Sequence, residues 1–401
     1  DYYSLADEVI NGNKDRLKSA SFKMSKDFLD YLEVASDSIE PEFKDIKVYD
    51  KVIVSKESLS ERFLSDTENT QKSRGERLAA YSQGVIDKFF AENHKELYVL
   101  ADEDTSIDED TSKILKRLRR EVKANAVEMI KNATLLDPVT IYFRVLKEYA
   151  DKNKFPELLY SAQSVKDGWI EFEDALGIIY VKSVLGSLAV LSGVKHILID
   201  EAQDLSYVQH RIIKRMFPRA KFTLLADTNQ AIIPGLNTVC AEDLAKLYSA
   251  KTLNLNKSYR CTKQINSFAL ELLDEKDRYE IFERNGEEVV RINGTGDDLC
   301  ALVEKESETS KTLAIITRTA DGAREVYKKL KEHIQELRLC DNKSCEMGNA
   351  PVVMPLALTK GLEFDDVIIV DDKGSFTKEE NKKYLYLAST RALHKLNIFS
   401  I

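Results

Sequence analysis

The chain has 401 residues, 43% of them hydrophobic and 32% charged. That balance excludes a disordered or fibrous protein, and the length predicts two or three domains. Its 59 basic and 68 acidic residues leave a net charge of −9, which excludes a surface that grips phosphate throughout and makes any nucleic-acid contact local.

Asp1-Tyr2-Tyr3-Ser4 opens the sequence without a start methionine and without the basic-then-apolar pattern of a signal peptide. A fragment or processed piece is therefore expected. From Asp1 to about Lys166 the pattern is helical. Apolar residues in Phe28-Leu29-Asp30-Tyr31-Leu32, and from Leu78-Ala79-Ala80-Tyr81 to Phe89-Phe90, recur at helical spacing among many charges. Between Phe43 and Val54, the alternation of Ile46, Val48, Val52 and Val54 with polar residues predicts a short hairpin. The acidic stretch from Asp102 to Asp110 reads as an exposed loop. The helix after it carries Lys113, Lys116, Arg117, Arg119, Arg120 and Lys123, either a solvated face or a contact surface for nucleic acid or an acidic protein. Trp169, the single tryptophan, is expected to anchor packing where this region ends.

After Lys166 apolar runs alternate with helical segments. His196-Ile197-Leu198-Ile199 leads into Asp200, and Phe222-Thr223-Leu224-Leu225-Ala226 into Asp227. Leu313 to Thr317, Val367 to Val370 and Leu396 to Ile401 are further runs. Apolar strands separated by helices predict parallel sheet covered on both faces. No apolar run approaches the roughly 20 residues that cross a bilayer. The cysteines (Cys240, Cys261, Cys300, Cys340, Cys345) are odd in number and sparse, which argues against a disulfide framework and for a reducing, cytoplasmic setting. Cys340 and Cys345 lack a second pair to complete a zinc site, and the five histidines show no ligand spacing.

Two strands ending in acid carry the chemistry. Ligands of open α/β sheets bind beyond the carboxyl ends of the strands, so Asp200 and Asp227 should face one crevice. In Asp200-Glu201-Ala202-Gln203-Asp204, one carboxylate suits Mg²⁺ and its neighbour can orient a hydrolytic water. Gln230 can position water near a phosphate. Asn256-Lys257-Ser258-Tyr259-Arg260 joins a ring that can stack on a base to a guanidinium that can bind phosphate. Thr359-Lys360-Gly361-Leu362-Glu363-Phe364 and Tyr386-Leu387-Ala388-Ser389-Thr390-Arg391-Ala392 precede the last strands.

In this order the segments resemble the superfamily 1 helicases of the UvrD/Rep type. Asp200 to Asp204 is similar to motif II, Ala226 to Ile232 to motif III, Asn256 to Arg260 to motif IV, Lys360 to Phe364 to motif V and Tyr386 to Ala392 to motif VI. The resemblance implies an ATP hydrolase using ATP and Mg²⁺. Asp200 would ligate the metal, Glu201 would activate water and Gln230 would sense the γ-phosphate. Tyr259 would stack on adenine, Arg260 and Arg391 would contact the γ-phosphate, and Gly361 and Glu363 would adjoin the nucleotide, Glu363 at the ribose. The implied fold is two RecA-like α/β lobes with parallel sheets, the first incomplete, plus a mainly helical insertion. Residues 1–166 would be the insertion, 167–252 the rest of the first lobe, and 253–401 the second.

The sequence departs from the family pattern in three places. No Gly-x-x-x-x-Gly-Lys-Ser/Thr loop occurs, and Gly294-Thr295-Gly296-Asp297 reads as a turn after a strand. Truncation is the simplest account, and it predicts that this chain alone turns over little ATP. Ala226 stands where a glycine is usual, and Ala357 where a histidine is frequent. Only about a hundred residues separate Arg260 from Lys360, too few for the large accessory domain of UvrD and Rep. That layout is most similar to HelD, whose resemblance implies RNA polymerase and DNA as partners, with release of the polymerase from nucleic acid; a monomer is expected. The rival readings are an ordinary 3'-5' DNA-unwinding helicase and a non-catalytic binding protein with a decayed nucleotide site.

Overall fold

The computed structural model describes residues 14–103, 110–155, 169–231, 240–273, 279–341, 348 and 350–401. They fall into two compact units, one holding the described residues among 14–21, 196–207 and 221–401, the other those among 22–195 and 208–220.

The chain enters with α1 (Lys14–Lys23) and α2 (Lys26–Asp37). The Ser25 hydroxyl accepts from the Phe28 N–H and so starts α2, whose apolar spacing buries Phe28, Leu29 and Leu32. Each such side chain contributes roughly 1.5–3 kcal/mol by leaving water. The expected hairpin is present: β1 (Ile46–Val48) pairs antiparallel with β2 (Lys51–Val54). Helices α3 (Lys56–Ser65), α4 (Gln71–Glu92), α5 (His94–Glu103) and α6 (Thr111–Thr134) enclose its apolar face, with Leu59, Phe63, Ile86 and Ile130 fully buried.

Of the stretch read as an acidic loop, Asp102 and Glu103 end α5 and Asp110 caps α6; residues 104–109 lie outside the described residues. The basic face of α6 is partly structural. Arg119 and Lys123 reach the Asp87 carboxylate on α4 at 2.6 and 2.7 Å, and the two cations, Lys123 first, hold that carboxyl below its usual range. Lys113, Lys116, Arg117 and Arg120 are exposed.

Helices α7 (Pro138–Asn153) and α8 (Phe172–Val184) meet at a buried polar knot. The Lys23 ammonium lies 3.0 Å from Asp174 and 3.7 Å from Glu173, and the Tyr142 hydroxyl donates to Asp174 at 2.6 Å. Gly177 makes room for this: a Cβ there would sit 2.1 Å from the Tyr142 ring. Trp169 departs from its expectation. It is 55% exposed, so it anchors no core.

The strand β3 (His196–Ile199) leads through the acidic segment to α9 (Tyr207–Met216) and β4 (Lys221–Leu224). β3 and β4 pair in parallel with Ile197 opposite Phe222, and this two-stranded sheet stays half open, with Leu198 64% exposed. The expectation of cover on both faces fails for this pair. In the other unit, Arg211 and Arg215 of α9 pair with Glu33, which also accepts from Tyr180.

Next come α10 (Ala241–Tyr248), β5 (Lys257–Ser258), α11 (Lys263–Glu271) and β6 (Glu280–Ile281), with β5 and β6 parallel. A six-stranded, wholly parallel sheet follows, with order β7 (Val290–Asn293), β12 (Ala392–Ser400), β11 (Phe364–Asp371), β8 (Leu313–Thr317), β10 (Val352–Pro355) and β9 (Arg338–Leu339). Every residue of β8 and β10 is buried, as continuous apolar runs predict for central parallel strands. Helices α12 (Gly296–Thr309) and α13 (Ala320–Lys331) supply Leu299, Val303, Val326 and Leu330 to this core, and α14 (Lys382–Ser389) leads into β12. The Gly294-Thr295-Gly296 turn is the start of α12, where Thr295 and Asp298 form a capping box.

The protein is thus α/β with parallel sheets. Cys240, Cys261 and Cys300 are free thiols, whereas Cys340 is disulfide-bonded. Among the described residues no helix is long and apolar enough to cross a membrane.

Candidate functional site

The parallel register of β3 and β4 brings two acidic segments side by side. Ile199 lies opposite Leu224, Leu225 N–H donates to Ile199 O at 2.9 Å, and Ala202 N–H donates back to Leu225 O at 2.8 Å. Asp200 is exposed at the carboxyl end of β3, and its Oδ1 accepts the Glu201 N–H at 2.9 Å. Glu201 turns the chain in the left-handed region (φ 51°, ψ 41°), a conformation that costs a non-glycine residue energy and that clusters at functional sites. Its carboxylate accepts from Gln203 Nε2 at 2.6 Å. Asp227 caps the 3₁₀ turn from Thr228 to Gln230, taking Asn229 N–H on one oxygen at 3.0 Å and Gln230 Nε2 on the other at 2.9 Å.

The six-stranded sheet assembles the opposing groups by the same logic. β11 and β12 start in register, Phe364 opposite Ala392, and Phe364 N–H donates to Arg391 O at 3.0 Å. The residues just before each strand, Lys360 to Glu363 and Arg391, therefore lie together. Gly361 has φ +73°, where a side chain would be strained although space is open. The Tyr259–Arg260 segment is held to the same edge, because Thr262 N–H donates to Leu393 O at 3.2 Å.

Arg391 is 1% exposed, and among the described residues its guanidinium bonds to uncharged oxygens: Gln230 Oε1, Thr390 Oγ1, Leu387 O and Leu362 O. Burial lowers its pKa, neighbouring Arg260 adds to the effect, and Glu201 and Glu363 oppose it. A buried cation with no carboxylate bonded to it is a group suited to an incoming anion. Lys360 donates to Gln230 O at 2.8 Å, lies 2.5 Å from Asp204 Oδ1 and 3.9 Å from Glu201 Oε2.

Arg260 is half exposed and pairs with Glu363 at 2.9 Å. The Tyr259 ring is 62% exposed, 5.1 Å from the Phe282 ring and 5.7 Å below the Lys257 ammonium. The residue after Arg260, Cys261, is buried, and burial pushes its thiol up to about 11.

The structure thus brings Glu201, Gln230 and Arg391 into one bonded neighbourhood, with Arg260 and Glu363 paired beside it and Tyr259 adjoining Arg260 in the chain. Asp200 stands at its strand end with no bond to either arginine among the described contacts. Sequence reasoning assigned no role to Lys360, Gln203 or Asp204. Their types signalled charge or amide, but nothing local announces a partner more than twenty positions away.

The family model for the UvrD/REP helicase N-terminal domain matches residues 4–233, and that for the UvrD-like helicase C-terminal domain matches residues 353–399. The chain belongs to the UvrD/REP helicase family. Over 155 residues it is 26% identical to the ATP-dependent DNA helicase srs2 of Schizosaccharomyces pombe, covering 32% of this chain and 17% of that protein. The chain thus spans about a sixth of the curated relative it matches. A solved C-terminal domain of a possible DNA helicase from Lactobacillus plantarum WCFS1 is 26% identical, with a TM-score of 0.31, over 36% of this chain and 88% of that one.

The residues gathered here have the chemistry to hold a nucleotide and Mg²⁺, the groups that the UvrD/REP family implies. Among the described residues no cluster of three or more His, Cys, Asp or Glu side chains is set to hold a metal. Mg²⁺ seldom needs one, since one or two carboxylates, waters and substrate phosphates complete its shell. Asp200 keeps one carboxylate oxygen outside its bond to Glu201 N–H. The exposed Tyr259 ring and the Arg260 and Arg391 guanidinium groups suit a base and a triphosphate.

Proposed function

We propose that the chain carries the hydrolytic core of an ATP-dependent superfamily 1 motor of HelD type, coupling ATP hydrolysis to release of RNA polymerase from nucleic acid, with DNA as the track. The observation that carries the motor reading is the meeting of Arg391 and Lys360 with the Gln230 turn and the Glu201–Asp204 segment inside one unit. Phosphoryl transfer needs in-line positioning and charge neutralisation more than covalent chemistry. In this reading Asp200 holds the metal, which supplies charge neutralisation at the phosphates. Glu201 orients and deprotonates the attacking water. Gln230 reports on the γ-phosphate, Arg260 and Arg391 neutralise developing charge, Tyr259 stacks on adenine, and Gly361 and Glu363 adjoin the nucleotide.

HelD character is supported by the short path from Arg260 to Lys360, occupied among described residues by α11, β6, four strands of the six-stranded sheet and helices α12 and α13. In this reading the protein is a cytoplasmic monomer, residues 1–166 serve the polymerase, and the isolated chain, which lacks a Walker A loop, turns ATP over negligibly. Glu201→Gln in the full-length protein should abolish hydrolysis and spare nucleotide binding; unchanged turnover removes the reading. Capture of core RNA polymerase supports the HelD type. Unwinding of DNA without polymerase supports the second reading, an ordinary 3'-5' helicase, which the similarity to the srs2 helicase favours. Failure to bind or hydrolyse nucleotide at full length would leave a binding protein.

A further inference from the structure

We propose that Gln203 is a positioning residue that aims the Glu201 carboxylate at its water, as the last link of a one-way hydrogen-bond chain that begins at Arg391. The inference rests on the hydrolytic role given above to Glu201. Gln203 is 1% exposed, so both ends of its amide need partners. Its Oε1 accepts the Asp227 backbone N–H at 3.0 Å, and its Nε2 donates to Glu201 Oε2 at 2.6 Å. The amide's orientation follows from its neighbours, since a backbone N–H can only donate and a carboxylate can only accept.

The remaining links run the same way. Arg391 Nη2 donates to Gln230 Oε1, Gln230 Nε2 donates to Asp227 Oδ2, Asp227 N–H donates to Gln203 Oε1, and Gln203 Nε2 donates to Glu201. The chain runs in one sense from a cation to an anion; at Asp227 it passes from the side-chain carboxylate to the backbone N–H, so the link there is the fixed geometry of the turn, while each amide on either side polarises its own pair of bonds. Glu201 is held at its other end by a strained left-handed backbone. The Gln203 amide therefore holds the free end of a side chain whose root the backbone fixes. It also passes the state of the Gln230 turn to the carboxylate without touching substrate.

Two substitutions separate the two bonds. Gln203→Glu keeps the acceptor for Asp227 N–H and, when ionised, replaces the donor to Glu201 with a like charge; Gln203→Met loses both. In steady-state assays of the full-length protein, Gln203→Glu should lower kcat on the order of 10²-fold with KM for ATP within about twofold, the split expected when a reacting group is misaimed and binding is spared. In hydrogen exchange without nucleotide, the Asp227 amide should exchange as in the wild type in Gln203→Glu and at least about tenfold faster in Gln203→Met, the loss of a net bond of about 1.4 kcal/mol. A Gln203→Glu protein with wild-type kcat, beside an inactive Glu201→Gln control, overturns the inference and spares the functional reading. An active Glu201→Gln overturns both. Unchanged Asp227 exchange in Gln203→Met overturns the inference without reference to activity.

Discussion

The guanidinium of Arg391 and the side-chain carbonyl of Gln230, 161 positions apart, share a hydrogen bond. Among the described residues Arg391 has exchanged its hydration for bonds to neutral oxygens, an arrangement that favours catalysis over stability. Arg391→Met should therefore lower ATP hydrolysis on the order of 10³-fold, the scale of a lost arginine finger, with an unchanged or higher thermal midpoint. Arg391→Lys should lose hydrolysis as well, because an ammonium cannot replace the planar fork. Turnover assays and calorimetry on the same preparations check both. A much lower midpoint in Arg391→Met would make the residue structural.

Lys360 and Asp204 form a second link, with side chains only 8% and 20% exposed. Removing one partner of so sheltered a pair takes from the other an opposite charge 2.5 Å away. Lys360→Met should cost about 3–5 kcal/mol, and Lys360→Met with Asp204→Asn should recover much of that. Chemical denaturation of the four proteins of the double-mutant cycle gives the coupling directly. Additive losses would show that the two side chains do not sense each other.

The elements that were legible share one feature: local sequence decides them. The spacing of Phe28, Leu29 and Leu32 gives a helix face, and the unbroken apolar run from Leu313 to Thr317 gives a buried central strand. The order of the acidic, amide and arginine segments was legible too. Long-range partners were not. Nothing adjacent to Gln203 announces Asp227, and nothing adjacent to Lys360 announces Asp204, because those bonds depend on how β3, β4 and the β11–β12 edge are brought together. Trp169 and Leu198 misled for the complementary reason. Apolar composition signals a preference for burial, and whether burial is realised depends on cover supplied from elsewhere.

The Tyr259 ring offers its exposed surface while Phe282 supports it from one side. Stacking uses the ring and not the hydroxyl. Tyr259→Ala should weaken ATP binding about tenfold, equivalent to roughly 1.4 kcal/mol, and Tyr259→Phe should leave it unchanged. Titration with a fluorescent ATP analogue distinguishes them. Equal weakening in both variants would assign the effect to the hydroxyl.

The knot of Lys23, Glu173, Asp174 and Tyr142 makes the helical unit sensitive to alkali. Burial pushes the Tyr142 phenol well above its ordinary 10, and the Asp174 charge adds to it. The folded pKa thus exceeds the unfolded one, so this contribution is fully present below about pH 10 and is lost as pH rises toward the folded value. Tyr142→Phe removes the titration and also the hydrogen bond to a buried carboxylate, a loss of about 1.5–3 kcal/mol at neutral pH. Lys23→Met should be worse, about 3–5 kcal/mol, because two buried carboxylates lose their cation. Denaturant midpoints followed from pH 8 to pH 11 would show the wild type declining above pH 10 and Tyr142→Phe starting lower but declining less. Parallel declines would mean that another buried group, such as Tyr180, whose phenol burial also raises, governs the alkaline limb.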